Sequence, residues 1–185
     1  MICRCLFFAT LACTAMVPAI AQLGPPQAGP EYDLFKKDVG TWDAEIKSYV
    51  TPDFKADPNA EPMVSKGVEK NEMVGPFWLS SSFKSDFAGN PFSGRAMMGF
   101  DPKAKVYVGT WIDSMTQHPL KMKGNYDQST KTLTMQSQGI GTDGKPTTGK
   151  AVTVYKDADT RVMTMYEKVD GKFLRSMEIT YTRKK

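Results

Sequence analysis

Trp42-Asp43-Ala44-Glu45-Ile46-Lys47 alternates an apolar with a charged side chain at every step. A repeat of two puts every apolar group on one face of a pleated strand and every charge on the other, so the stretch predicts a strand with one dry and one wet face. The same period returns in the runs 64–74, 77–86, 93–100, 105–113, 121–126, 132–139, 147–156, 161–169 and 173–183. Turn-forming residues stand between them: Gly75-Pro76, Gly89-Asn90-Pro91, Asp101-Pro102-Lys103, Asp127-Gln128-Ser129, Thr142-Asp143-Gly144-Lys145, Lys156-Asp157-Ala158-Asp159 and Asp170-Gly171. Connections this short join only antiparallel neighbours. Ten strands in hairpin order leave two unpaired edges if the sheet stays open, and closure removes both. The expected fold is therefore all-β: an antiparallel up-and-down barrel of about ten strands, with a two-sheet sandwich as the alternative that shares the same pattern.

Upstream of the first strand, Tyr32, Leu34, Phe35 and Val39 fall on one side of the segment 31–39, acidic residues begin it and Gly40 follows it. This predicts one short helix. Further upstream, residues 22–30 read QLGPPQAGP and predict an extended linker. Residues 1–21 have the form of a secretory signal: Arg4 supplies the positive end, Leu6 through Ile20 the apolar stretch, and Ala19-Ile20-Ala21 the small-x-small pattern before Gln22. Export to the periplasm or beyond the cell is the expectation. An alternative is a lipoprotein signal in which Leu11-Ala12-Cys13 offers Cys13 for lipid attachment.

All three cysteines, Cys3, Cys5 and Cys13, lie in that leader. A domain over residues 31–185 would then hold no disulfide, thiolate metal site or cysteine nucleophile, and its stability would come from packing. The net charge of +4 is spread along the chain, with only Arg183-Lys184-Lys185 forming a cluster. That pattern speaks against a nucleic-acid surface, and the mature chain has no apolar run long enough for a transmembrane helix. Nothing in the sequence sets an oligomeric state.

The run 106–113 is apolar on both faces, with Val106, Val108 and Ile112 on one and Tyr107, Gly109 and Trp111 on the other. Asp113 shares the face of Trp111 and Tyr107. It reads either as a polar anchor in an apolar pocket or as an Asx cap of the loop that follows. His118, the single histidine, lies in that loop. As a ligand of zinc, iron or haem it would stand alone, and a surface or loop-packing role is the preferred reading, so no cofactor is expected. Met163, Met165 and Met177 recur at strand period and read as core, while the remaining methionines suit an adaptable apolar lining. Should first and last strands pair, Arg175 or Arg183 would stack on Trp42 and close that end. The chain carries no Gly-x-Ser-x-Gly elbow and no phosphate-binding glycine loop.

Gly40-Thr41-Trp42-Asp43, Phe92-Ser93-Gly94 followed by Gly99-Phe100-Asp101, and Tyr107-Val108-Gly109-Thr110-Trp111-Ile112-Asp113-Ser114-Met115 together resemble the bacterial family catalogued as domain of unknown function 1579. The likeness runs from about Glu31 to the C-terminus. It implies a ten-stranded barrel similar to lipocalins and fatty-acid-binding proteins, whose short helix and Gly-x-Trp opening match Gly40-Thr41-Trp42, and which bind lipophilic ligands inside the barrel. This chain departs from secreted lipocalins in lacking their disulfide framework. The resemblance assigns no activity, and shared fold alone transfers none.

The leading expectation is a binding protein for a small, largely apolar ligand, with Asp113 and Arg95 orienting it, Trp78, Phe83, Met97, Tyr107, Trp111 and Tyr166 as lining, and His118 nearby. Two other readings stand beside it. One is a structural or protein-interaction module with a filled barrel, and the other a hydrolase or isomerase working through Asp113, Asp43 and His118.

Overall fold

The computed structural model describes residues 27–51, 55–87, 89–141 and 144–185. The expected signal, residues 1–21 with the three cysteines, and residues 22–26 of the expected linker lie outside them. A 3-10 turn over Pro30–Tyr32 leads into the helix α1, Asp33–Asp38. Ten strands follow: β1 Gly40–Ser48, β2 Met63–Val74, β3 Trp78–Phe87, β4 Asn90–Asp101, β5 Val106–Asp113, β6 Leu120–Asp127, β7 Thr132–Ile140, β8 Pro146–Tyr155, β9 Thr160–Val169 and β10 Lys172–Arg183. Each pairs antiparallel with its neighbour in sequence, and β1 pairs with β10 from Trp42↔Arg183 to Ser48↔Met177, which closes the barrel.

The turns are built as their residues dictate. Asp170 and Gly171 both have positive φ, as a two-residue hairpin of matching twist requires. Asp101 and Asp127 each take up backbone N–H groups two and three residues on, and the turns they open end at Lys105 and Lys131 in the left-handed region.

Alternation then assigns the two faces. Trp42, Ala44, Ile46 and Ser48 of β1 are buried, whereas Asp43 and Glu45 between them are exposed. Register carries the inward face around the barrel through Glu69 and Asn71 of β2, Phe83 and Leu79 of β3, Phe92 and Met98 of β4, and Tyr107 and Trp111 of β5. On the other side it runs through Met122, Met135, Ala151, Met163, Met165 and Met177.

One end of the barrel is plugged. Tyr32, Leu34 and Phe35 form a continuous core with Leu79, Tyr107, Leu133 and Met135. Val39, expected on the apolar side of the helix, is exposed instead, because the chain leaves the helix at that residue and enters β1 through Gly40 at φ 123. Polar tethers fix the plug: the Trp42 indole and the Asn71 amide donate to the Asp38 carbonyl at 2.9 and 3.1 Å, and the Tyr107 hydroxyl to the Glu31 carbonyl at 2.8 Å. Arg183 donates to the carbonyls of Lys37 and Val39, both at 2.6 Å, and so satisfies groups that a helix C-terminus leaves open. Among the described residues no helix is long and apolar enough to cross a membrane.

Candidate functional site

The floor of the barrel holds a buried ionic cluster. Arg161 opens β9 with its side chain inward, between Tyr155 of β8 and Tyr181 of β10 in register. Its guanidinium pairs with Asp38 at 3.1 Å and Glu69 at 2.5 Å, and the three side chains are only 8%, 8% and 12% exposed. The guanidinium also lies 4.6 Å from the centre of the Trp42 ring and 4.4 Å from that of Tyr181. Tyr155 donates to the second oxygen of Asp38 at 2.9 Å. Burial pushes the Asp38 carboxyl up to about 6, although Arg161 and the Tyr155 hydroxyl both pull it down. Burial also works against the charge of Arg161, but the carboxylates of Asp38 and Glu69 outweigh it and hold the guanidinium above its ordinary value. Arg183 stacks on Trp42 at 4.1 Å, as β1–β10 pairing requires, while Arg175 lies on Tyr49 instead, 3.8 Å from its ring centre. The cluster ties the helix α1 to β2, β8 and β9 as an internal brace, with the buried Arg161 Nε left without a hydrogen-bond partner.

The other half of the barrel is different. Ser65, Ser85, Ala96, Met122, Ser137, Gly149, Ala151, Met163, Met165 and Met177 all face inward, yet each is only half-buried. A wall of ten hydrogen-bonded strands stands between these groups and the outer surface, and Met122, Met163 and Met177 among them also pack against the core clusters. Eight strands make a barrel that side chains just fill. Ten strands enclose a wider bore, and the Ser, Gly and Ala positions fill less of it than large side chains would.

Trp111 and Asp113 stand at the open end of β5. The indole lies parallel to the Phe92 ring, 20° apart with centres at 6.4 Å, and covers Gly94, where a Cβ would collide with it. The indole N–H donates to one oxygen of Asp113 at 2.8 Å. The other oxygen accepts from the backbone of Met115 at 2.8 Å and Thr116 at 2.9 Å and from the Thr116 hydroxyl at 3.3 Å. Of the two readings of Asp113, the Asx cap is the one the geometry displays, with the added task of orienting Trp111.

The expected lining residues divide by parity. Phe83, Tyr107, Trp111 and Asp113 face the interior, Tyr107 within the plug packing and Phe83 against Trp42 and Tyr181. Trp78, Arg95, Met97 and Tyr166 face outward, so they do not line the barrel. Trp78 is 44% exposed and lies over Gly99, beside Val108 in register, which accounts for an apolar outer face on β5. Met97 is 40% exposed, and Tyr166 carries the Lys150 ammonium 4.5 Å from its ring centre. Arg95 borders a shallow outer depression of about 230 Å³ with Lys70, Glu72, Ser80 and Ser82. The reason is the period itself: Met97 and Met98 differ by one step, and only register tells which one turns in.

His118 is exposed in the loop, and its carbonyl accepts from the Thr116 hydroxyl. Asp43 lies on the outer wall near the plugged end, beside Lys184. The structure does not bring Asp113, Asp43 and His118 together. Among the described residues no group of three or more His, Cys, Asp or Glu side chains is placed to hold a metal ion. Sequence reading did not single out Arg161, Glu69 or Glu167, although each carries a charge on the apolar parity of its strand.

The family model described as "Protein of unknown function (DUF1579)" matches residues 27–183. No curated protein matches the chain. Among solved structures, Rv2717c from M. tuberculosis superposes with a TM-score of 0.61 at 10% identity, over 86% of this chain and 100% of that one. The S-type phycobiliprotein lyase CPES from Guillardia theta gives 0.55 at 13% identity, over 83% and 92%. At these identities the likeness is one of fold.

Proposed function

Because this chain belongs to the DUF1579 family of proteins of unknown function, its role has to be read from its own interior, and we propose that it binds a small, largely apolar molecule in the unplugged half of the barrel. The observation that carries this reading is the half-exposure of inward-facing side chains inside a closed wall. Trp111 and Phe92 offer a flat aromatic surface, and Met163, Met165 and Met177 an adaptable thioether surface, which together suit an apolar guest. Asp113 holds the indole in place, and ligand contact falls to Trp111 itself. Export belongs to the same reading, with the leader removed before Gln22, and N-terminal sequencing of protein recovered from the producing cell tests it directly: a chain still starting at Met1 would refute export.

The binding reading is tested on protein purified without detergent. Extraction with organic solvent followed by mass spectrometry should release a lipophile. The neutral dye N-phenyl-1-naphthylamine should brighten on addition to stripped protein and quench Trp111 by energy transfer. An empty extract together with no dye response refutes it.

A further inference from the structure

Glu167 is the one carboxylate of β9 that faces into the open half of the barrel. It sits on the inward parity of Met163 and Met165, opposite Gly149 of β8 and Leu174 of β10. Gly149 has no side chain to cover it, and beyond Gly149 the next inward position is Ser137 of β7. The backbone N–H of Ala56 donates to the carboxylate, and no lysine or arginine among the described residues forms an ion pair with it. Arg175 is turned to the Tyr49 ring, and Lys172, the first residue of β10, shares the face of Glu167 through its pairing with Val169 but is exposed at the rim and forms no ion pair with it. A half-buried carboxylate facing inward is stabilised by a cation or a second donor. Burial accordingly raises the Glu167 carboxyl above its ordinary range.

The sign of the whole interior points the same way. Asp38, Glu69, Asp113 and Glu167 face inward, and the inward cation, Arg161, is committed to Asp38 and Glu69. Arg183 is spent on the helix carbonyls and Asp159. Lys66, Lys70, Lys84, Lys121, Lys123 and Lys150 are on the outer wall by register, and Lys172, on the inward parity, stands exposed at the rim. Past Lys172 at the rim, an anionic head group entering the barrel would meet carboxylates and, among the described residues, no uncommitted guanidinium.

Resting on the binding reading above, we infer that the guest is an apolar molecule bearing a protonated amine, whose nitrogen pairs with Glu167 while its hydrocarbon lies on the Met163, Met165 and Met177 surface. A charge-assisted contact of this kind separates an amine from an alcohol or carboxylate of equal chain length.

The test uses the full exported chain and displacement of N-phenyl-1-naphthylamine by three ligands of one length: dodecylamine, dodecanol and dodecanoate, at about pH 7.5 where the amine is charged. Dodecylamine should displace the dye at concentrations about tenfold lower than dodecanol, with dodecanoate the weakest. Glu167→Gln should bring the amine to within about threefold of the alcohol and leave the alcohol where it was. Dodecanoate matching or surpassing the amine on the native chain overturns the inference, whatever the variant does, and so does an unchanged amine preference in Glu167→Gln. If dodecanol displaces the dye in either case, the binding reading survives the loss. If the dye itself does not bind, both fall together.

Discussion

Replacing Arg161 by Met removes the cation of the floor cluster while keeping an unbranched stem of similar reach. Asp38 and Glu69 would then sit with side chains 8% and 12% exposed and no positive partner between them, and Trp42 and Tyr181 would lose the guanidinium at 4.6 and 4.4 Å. Taking one partner from a buried pair costs about 3–5 kcal/mol, equivalent to roughly 6–20 °C in Tm for a chain of this size. Two carboxylates brought close without a cation have their proton affinities raised in the folded state. A raised folded value stabilises the fold below the unfolded one and loses that contribution as pH rises, so the loss should be largest at about pH 8 and shrink towards about pH 5. Urea unfolding followed by tryptophan fluorescence at the two pH values measures it directly. Adding Asp38→Asn and Glu69→Gln to Arg161→Met should recover most of the loss, since neutral amides need no counter-charge. A loss under about 1 kcal/mol at the higher pH, or an equal loss at both, would refute the account of the cluster as a charge-balanced brace.

Two further expectations follow from single groups. Asp38 titrates at about 6 in the fold against 3.8 when free, so its raised value favours folding below about pH 4 and that contribution fades as pH rises through about 6, by about 3 kcal/mol in all. Asp38→Asn lacks that gain, so between about pH 7 and 4 its stability should fall relative to that of the native chain, and parallel profiles would count against it. Asp113→Ala removes the Asx cap and the partner of the Trp111 indole, at a cost of about 1–2 kcal/mol, and should shift the Trp111 emission with Trp42 and Trp78 replaced by Phe; an unmoved spectrum would show that Asp113 does not orient the ring.

Much of this molecule is written locally. The alternation from Trp42 onward and the turn residues between runs determine ten antiparallel strands in sequential order, because each hairpin needs only its own residues to form. The short helix was legible for the same reason, although not its end, since Val39 obeys the strand that follows it. Alternation names two faces but not which of them turns inward when both carry apolar groups. Trp78 against Leu79, and Met97 against Met98, could be assigned only by register against strands that are themselves assigned, and it is there that half of the expected lining moved to the outer wall. The floor cluster lay further out of reach. Asp38, Glu69 and Arg161 come from the plug helix, β2 and β9, and only closure of β1 on β10 brings them to one place. A charge on the apolar side of a strand was the trace that Glu69 and Arg161 left in the sequence, because a buried ion is tolerated only where the fold delivers its partner, and that partner can stand anywhere in the chain.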